Sequence, residues 1–251
     1  MNKYPYNAVH YSSTGFILLK SQPAGNLVCE TYKSTALPTL QRECGVFFDA
    51  TCDAPLISLR FSAPLLIPKS MYQAPATQYL RLQNEVSDSD EVFENEVDDY
   101  VAVFAVPFSK TLPLRTTLAN PQFRHCAVNL YRYLAQYNSP CHNKLLVNFD
   151  GDKMGFILIK KDKLFLINEL SFTEPSDALY YVLNILQQND AKRAESEVLV
   201  CGLTPEMKKI NQLLSQYLPN VVTAGKELKL NITDLKGQKV DISTCLQLIE
   251  I

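Results

Sequence analysis

LLVNFDGDKMGFILIKKDKLFLINELSFTEPSDALYYVLNIL, residues 145–186, divides itself by its own punctuation. Leu145–Phe149 is an apolar run, Asp150–Lys153 a polar turn, Gly155–Ile159 a second run, Lys160–Lys163 another turn, and Leu164–Leu170 a third run. Short aliphatic runs joined by tight polar turns predict an antiparallel meander. Thr173 and Pro175 then open a helix whose Leu179, Val182, Leu183 and Leu186 share one face at spacings of three and four. Glu197–Cys201 predicts a fourth strand. Thr204 as N-cap and Pro205 in the first turn start another helix, with Met207, Ile210, Leu213, Leu214 and Tyr217 as its buried stripe, and Asn220–Thr223 is a short β-branched strand.

The order βββαβα and then β is the pattern of a ribonuclease-H-like α/β unit. Its second strand, GFILIK at 155–160, has a near copy in GFILLK at 15–20. Around that copy, Ala8–Tyr11, Gly15–Lys20 and Leu27–Lys33 predict a second meander, followed by a helix from about Pro38 to Phe48 and strands at Leu56–Phe61 and Pro64–Ile67, with Pro68 opening a short helix. Gly15 and Gly155 stand 140 residues apart, while Leu27 and Leu164, Pro38 and Pro175, and Pro68 and Pro205 each stand 137 apart. One turn differing in length reconciles the two offsets, so the chain reads as a tandem duplication, residues 1–118 and 119–251. Between the halves lies QNEVSDSDEVFENEVDD, residues 83–99, with eight carboxylates and no Lys or Arg, which predicts a solvated acidic connecting loop. Tyr100–Val106 resumes as a strand, and Asn120 and Pro121 cap a helix with Phe123, Ala127, Leu130 and Leu134 on its apolar stripe.

Composition narrows the function classes. The 251 residues are 47% hydrophobic with a formal charge of −2, and Lys and Arg are scattered, which argues against a nucleic-acid partner. The N-terminal MNKYPYNAVHYSS lacks a signal-type apolar core, and YVAVFAVPF at 100–108 is far short of a membrane span, so the expectation is a cytoplasmic protein with no membrane span. Seven cysteines without any CxxC, mostly among apolar neighbours, predict reduced thiols.

The runs LLVNFDGDKMGFILIKKDKLFLINELSFTEPSDALYYVLNILQQ and EVLVCGLTPEMKKINQLLSQYLPNV carry a resemblance, densest over Leu145–Val222, in the NEL-F strand end, the DALYYVLN helix and the LVCGL strand. They resemble an uncharacterised bacterial family, a domain of unknown function with an actin-like ATPase fold. That family is similar in turn to the cytoplasmic actin-like domains of pilus-assembly and type II secretion proteins. The resemblance implies two ribonuclease-H-like units in tandem around a two-lobed cleft, and no assigned activity.

An active actin-like ATPase needs a phosphate loop in each half of the form Asp-x-Gly followed by small hydroxyl residues. The Asp anchors hydrated magnesium and the Gly lets successive amides cradle phosphate. Here VHYSSTGF puts His10 and Ser12 in those places, and VNFDGDKMGF puts Asn148 and Asp150 there. Asp150 and Asp152 add negative charge beside a triphosphate, with Lys153 as the local compensation. The adenosine segment of the family carries paired glycines, whereas Gly202 is followed by Leu203. The residues left to line a nucleotide site in the cleft are Ser13, Thr14, Gly15, Gly151, Lys153 and Gly202. The DGD at 150–152 superficially resembles a ribonuclease strand, but Cys201 and Gly202 stand where a further acid is needed for two-metal chemistry. His125-Cys126 and Cys141-His142 hold zinc-type ligands, yet Cys126 sits near an apolar helix stripe, which predicts buried thiols and surface imidazoles rather than a metal site. The expectation is a non-catalytic actin-like protein with degenerate nucleotide loops and no cofactor, docking an unidentified protein partner. The alternative is a nucleotide-binding actin-like ATPase with an atypical phosphate site.

Overall fold

A computed structural model describes residues 7–22, 25–48, 52, 54–83 and 86–249. The chain forms two compact units, one made of Met1–Asn129, Leu230–Asp241 and Gln247–Ile251, the other of Leu130–Lys229 and Ile242–Leu246. No helix among the described residues is long and apolar enough to cross a membrane.

In the first unit, β1 (Asn7–Ser12), β2 (Phe16–Ser21) and β3 (Leu27–Tyr32) form the antiparallel meander, and α1 (Leu37–Phe47) begins with Pro38 in its first turn. β4 (Leu56–Arg60) returns parallel to β1. Then comes an insertion: β5 (Leu65–Pro68), α2 (Thr77–Leu82), β6 (Asp90–Val97) and β7 (Tyr100–Pro107), whose strands make a separate antiparallel sheet in the order β5-β7-β6. α3 (Phe108–Thr117) packs on α1, β8 (Gln122–His125) runs parallel to β4, and α4 (Cys126–Gln136) follows without a linker.

Three expectations need correction. Pro68 ends β5 rather than opening a helix, and the helix in the place anticipated for it is α3, forty residues later. Residues 122–125 form a strand because their backbone pairs with β4, so the helix capped at Asn120 starts only at Cys126. The centre of the acidic segment, Asp90–Val97, is strand β6, not a loop. Its neighbouring Val92 and Phe93 point to opposite faces, Val92 packing with the insertion's core around Ile67, Leu80 and Val103 and Phe93 stacking on Phe104 at 5.3 Å. Two carboxylates that flank them on the strand find cations: Glu91 meets Arg115 at 2.9 Å and Glu96 meets Lys69 at 2.7 Å.

The second unit follows the sequence reading closely. β9 (Asn143–Asp150), β10 (Lys153–Lys160) and β11 (Lys163–Ser171) form the meander, followed by α5 (Pro175–Gln188), β12 (Ser196–Leu203), α6 (Met207–Tyr217) and β13 (Val221–Thr223). Asp177 fastens the start of α5 by accepting the amides of Thr173 and Glu174 at 2.8 and 3.0 Å. α6 begins later than Thr204, whose carbonyl instead accepts the Met207 amide in a preceding turn. Leu145, Val147, Phe149, Phe156 and Leu158 of the sheet meet Val182 and Leu186 of α5 and Ile210 and Leu214 of α6 in one core, each such side chain contributing about 1.5–3 kcal/mol of burial.

Strand order β11-β10-β9-β12-β13 in this unit matches β3-β2-β1-β4-β8 in the other, with the same sense at every pairing. The lysine that ends each copy of the hexapeptide also does the same work. Lys20 donates to the Phe47 carbonyl at the end of α1, 2.7 Å away, and Lys160 donates to the Asn189 carbonyl at the end of α5. Each satisfies a helix C-terminal carbonyl with a positive charge, where the helix dipole favours one.

The tail contributes a strand of only two residues, β14 (Ile232–Thr233), parallel to β3, with the Leu27 amide donating to the Asn231 carbonyl at 3.0 Å. The period-two pattern of the tail predicts more strand than this. After the Asp234–Gly237 turn the Val240 amide donates back to the Ile232 carbonyl at 2.9 Å, and Ile242, Leu246 and Leu248 lie buried in two 3-10 turns, Ile242–Thr244 and Leu246–Leu248, rather than in a strand.

Candidate functional site

The two meander turns are where an actin-like fold would hold phosphate, and each is built here from its own hydrogen bonds. In the β1–β2 turn the Ser12 amide donates to the Gly15 carbonyl at 3.0 Å, and the Thr14 amide donates to Ser12 Oγ at 3.2 Å. Ser12 Oγ and Thr14 Oγ1 lie 3.0 Å apart, and the Ser13 side chain is exposed. A Cβ on Gly15 would come within 2.1 Å of the Tyr32 carbonyl oxygen, so its glycine is needed for the approach of β2 to β3. His10 is buried, with Nδ1 3.1 Å from the Ser58 carbonyl and 3.2 Å from Ser58 Oγ, the residue opposite it in the parallel register. A ring nitrogen can face that carbonyl as a donor or accept from that hydroxyl, whereas an ionised carboxylate at this position could not donate to the carbonyl.

The β9–β10 turn is shorter. Asp150 still pairs with Lys153, so Gly151 and Asp152 alone make the bend, with Gly151 in the left-handed region at φ 61°. The Gly151 amide donates to the Leu203 carbonyl at 3.0 Å, and the Asp152 carbonyl accepts the Phe172 amide at 2.9 Å. Lys153 Nζ donates across the sheet to Ser171 Oγ at 2.8 Å. Asn148 is buried between β9 and β12, its Oδ1 3.5 Å from Cys201 Sγ. Gly202 has φ 93°, and a Cβ there would stand 1.9 Å from the Phe149 carbonyl oxygen; close strand packing accounts for this glycine. Ser13, Thr14 and Gly15 therefore lie together in one turn of the first unit, and Gly151, Lys153 and Gly202 gather at the strand ends of the second.

The sequence reading of the remaining ligands needs one correction. His142 is exposed as anticipated, but His125 is 2% exposed, not at the surface. Its position on β8, flanked by the Phe104 ring at 5.0 Å, buries it. The Ala127 amide donates to His125 Nδ1 at 3.1 Å, so the proton resides on Nε2, which donates to the Ser62 carbonyl at 2.8 Å. Burial, followed by the nearby charge of Arg60 and His10, pushes this imidazole down to about 4. Among the described residues no three or more His, Cys, Asp and Glu side chains come together as metal ligands. All seven cysteines are free thiols, six of them buried and Cys141 half-buried. Burial pushes Cys44 up to about 12 and raises Cys141, so neither is an activated nucleophile.

What single-motif reading missed is that His10, Ser58, Arg60 and His125 are buried neighbours on β1, β4 and β8. A second buried polar group, Glu197 accepting Ser139 Oγ at 2.5 Å and Tyr137 Oη at 3.4 Å, pins the segment before β9 to β12. The available signal was Ser58, a small polar residue inside the aliphatic run of Ile57 and Leu59.

Residues 57–221 match the model of a family described as "Protein of unknown function (DUF3822)". No curated protein matches the chain. Among solved structures, the chain is similar to a protein from Bacteroides thetaiotaomicron VPI-5482 with an actin-like ATPase fold and unknown function, at a TM-score of 0.75 and 15% identity over 98% of this chain and 95% of that one. It is also similar to a structure of the PilM-PilN type IV pilus biogenesis complex, at 0.58 and 12% over 92% and 91%. A third is the ethanolamine utilization protein EutJ from Carboxydothermus hydrogenoformans, at 0.51 and 8% over 99% and 89%. The fold is the actin-like ATPase fold.

Proposed function

Because the chain belongs to the family described as "Protein of unknown function (DUF3822)", whose fold is shared with both PilM and proteins of unassigned role, we propose that it is a non-catalytic actin-like docking module for a protein partner. The observation that carries the reading is the internal closure of both phosphate-position turns. Ser12 Oγ serves the Thr14 amide, the Gly151 amide serves Leu203, and His10 and Asn148 are turned into their own sheets. Binding a triphosphate there would first break these bonds, and it would bring phosphate beside Asp150 and Asp152. The first unit carries the β5-β7-β6 insertion that the second lacks, with Met71 and Leu82 exposed on it, and such surplus surface suits recognition better than catalysis.

Thermal unfolding with and without nucleotide tests the proposal. A site of micromolar affinity at millimolar ATP would add about 4 kcal/mol and raise Tm by several degrees. The expected result is no shift with ATP, ADP or GTP, with or without magnesium. A magnesium-dependent rise that Ser13→Ala or Lys153→Ala abolishes would replace docking with an ATPase carrying an atypical phosphate site. The partner itself is sought by affinity capture, and substitutions on the insertion such as Leu82→Asp should release it.

A further inference from the structure

We infer that His125 is an acid-labile clamp on the start of α4, which in its neutral form fastens that helix end to the main sheet of the first unit through Nδ1 and which releases it when protonated. Three bonds converge on this one residue. Nδ1 accepts the Ala127 amide as the N-cap of α4, Nε2–H donates to the Ser62 carbonyl in the segment leading to β5, and the His125 amide donates to Asn95 Oδ1 on β6 at 2.8 Å. Asn95 also donates from Nδ2 to the Glu94 carbonyl at 2.8 Å, which fixes its amide in the orientation His125 needs.

Only the neutral ring fits. A proton on Nδ1 would face the Ala127 N–H and lose the cap, and a cation would stand at the positive end of a helix dipole. The charged and titratable groups around the ring are Arg60 from β4 and His10 from β1. β7 offers the Phe104 ring, β6 the neutral Asn95 amide, and α4 its own amide. The Ser62 carbonyl favours an imidazolium, but burial of the ring outweighs it and Arg60 and His10 oppose it further. The sign follows from linkage: an exposed histidine takes up a proton near 6.5, whereas the clamped one resists until about 4, so every pH unit lost between those values favours the open form about tenfold.

Backbone amide exchange read by NMR between pH 7 and 4.5, corrected for intrinsic rates, tests the clamp, together with the ring nitrogen shifts of His125. The expected result is an Nε2–H tautomer at pH 7 and protection at Ala127 falling about tenfold per pH unit below 6.5, while amides of β9 and β10 hold. His125→Gln, which keeps a donor within reach of Ser62 but does not titrate, should flatten the dependence. A flat wild-type profile, an equally steep one in β9 and β10, or an unchanged slope in the variant would each overturn the inference. If the variant does not fold, the wild-type slope at Ala127 against that of β9 still decides.

Discussion

The β1–β2 turn and the β9–β10 turn hold the same place in two sheets of identical strand order, yet they are closed by different means. Ser12 and Thr14 close the first with hydroxyls, while the second is a two-residue bend on Gly151, tied by its amide to the end of β12. Two unlike sets of local bonds reach the same end, a turn fastened within its own unit, through the amides of Ser12 and Thr14 in one and of Gly151 in the other. What the two units share more closely is the lysines that end the second strands, whereas the glycines differ in place, Gly15 standing in a turn against Tyr32 of β3 and Gly202 within β12 against Phe149 of β9.

The strongest test of that contrast is at the glycines. Gly15→Ala and Gly202→Ala should each cost more than about 4 kcal/mol or abolish folding, because the new Cβ meets backbone oxygen at 2.1 and 1.9 Å. Gly237→Ala, at a φ of 78° comparable to the 93° of Gly202 but with open space around it, should cost only about 1 kcal/mol in urea unfolding. Equal losses at all three would mean that φ, not strand contact, sets the requirement. Next come the lysines: Lys20→Met and Lys160→Met should each lose about 1–2 kcal/mol by leaving a helix-end carbonyl without its donor, and a loss in one unit alone would break the equivalence. The smallest effect belongs to the turn side chains. Lys153→Ala removes an exposed cross-strand bond and should stay within about 0.5 kcal/mol, whereas Ser12→Ala, which opens the amide of Thr14, should cost about 1 kcal/mol.

These differences also mark how far the sequence could be read. In the second unit every strand was legible, because each apolar run is bounded by a polar turn and the chain never leaves the sheet. In the first, the break came at Pro68, where matching prolines at equal offset suggested a helix and the chain had in fact entered a second sheet. Charge density hid β6, since Val92, Phe93 and Val97 stand among four carboxylates, and the burial of Val92 and Phe93 depends on partners as distant as Ile67 and Phe104. β8 was absorbed into its helix because a four-residue parallel strand is specified by β4 and not by its own pattern. The turn residues were located correctly in sequence, but neither the inward bonding of His10 and Asn148 nor the burial of His125 has any local signature.

The two-residue strand β14 has a consequence for the order in which the molecule is made. Residues 143–223 supply all five strands of the second unit's sheet in one continuous stretch, whereas the first unit's sheet is finished only by Ile232 and Thr233. During synthesis the later sheet can therefore close before the earlier one. The nascent first unit waits with the edge of β3 open through roughly two hundred residues of elongation, which at about 5–20 residues per second is an interval of ten seconds or more. For that time Leu27 and Val28 offer unpaired backbone to any strand nearby, and it is the arrival of a dipeptide that ends the exposure.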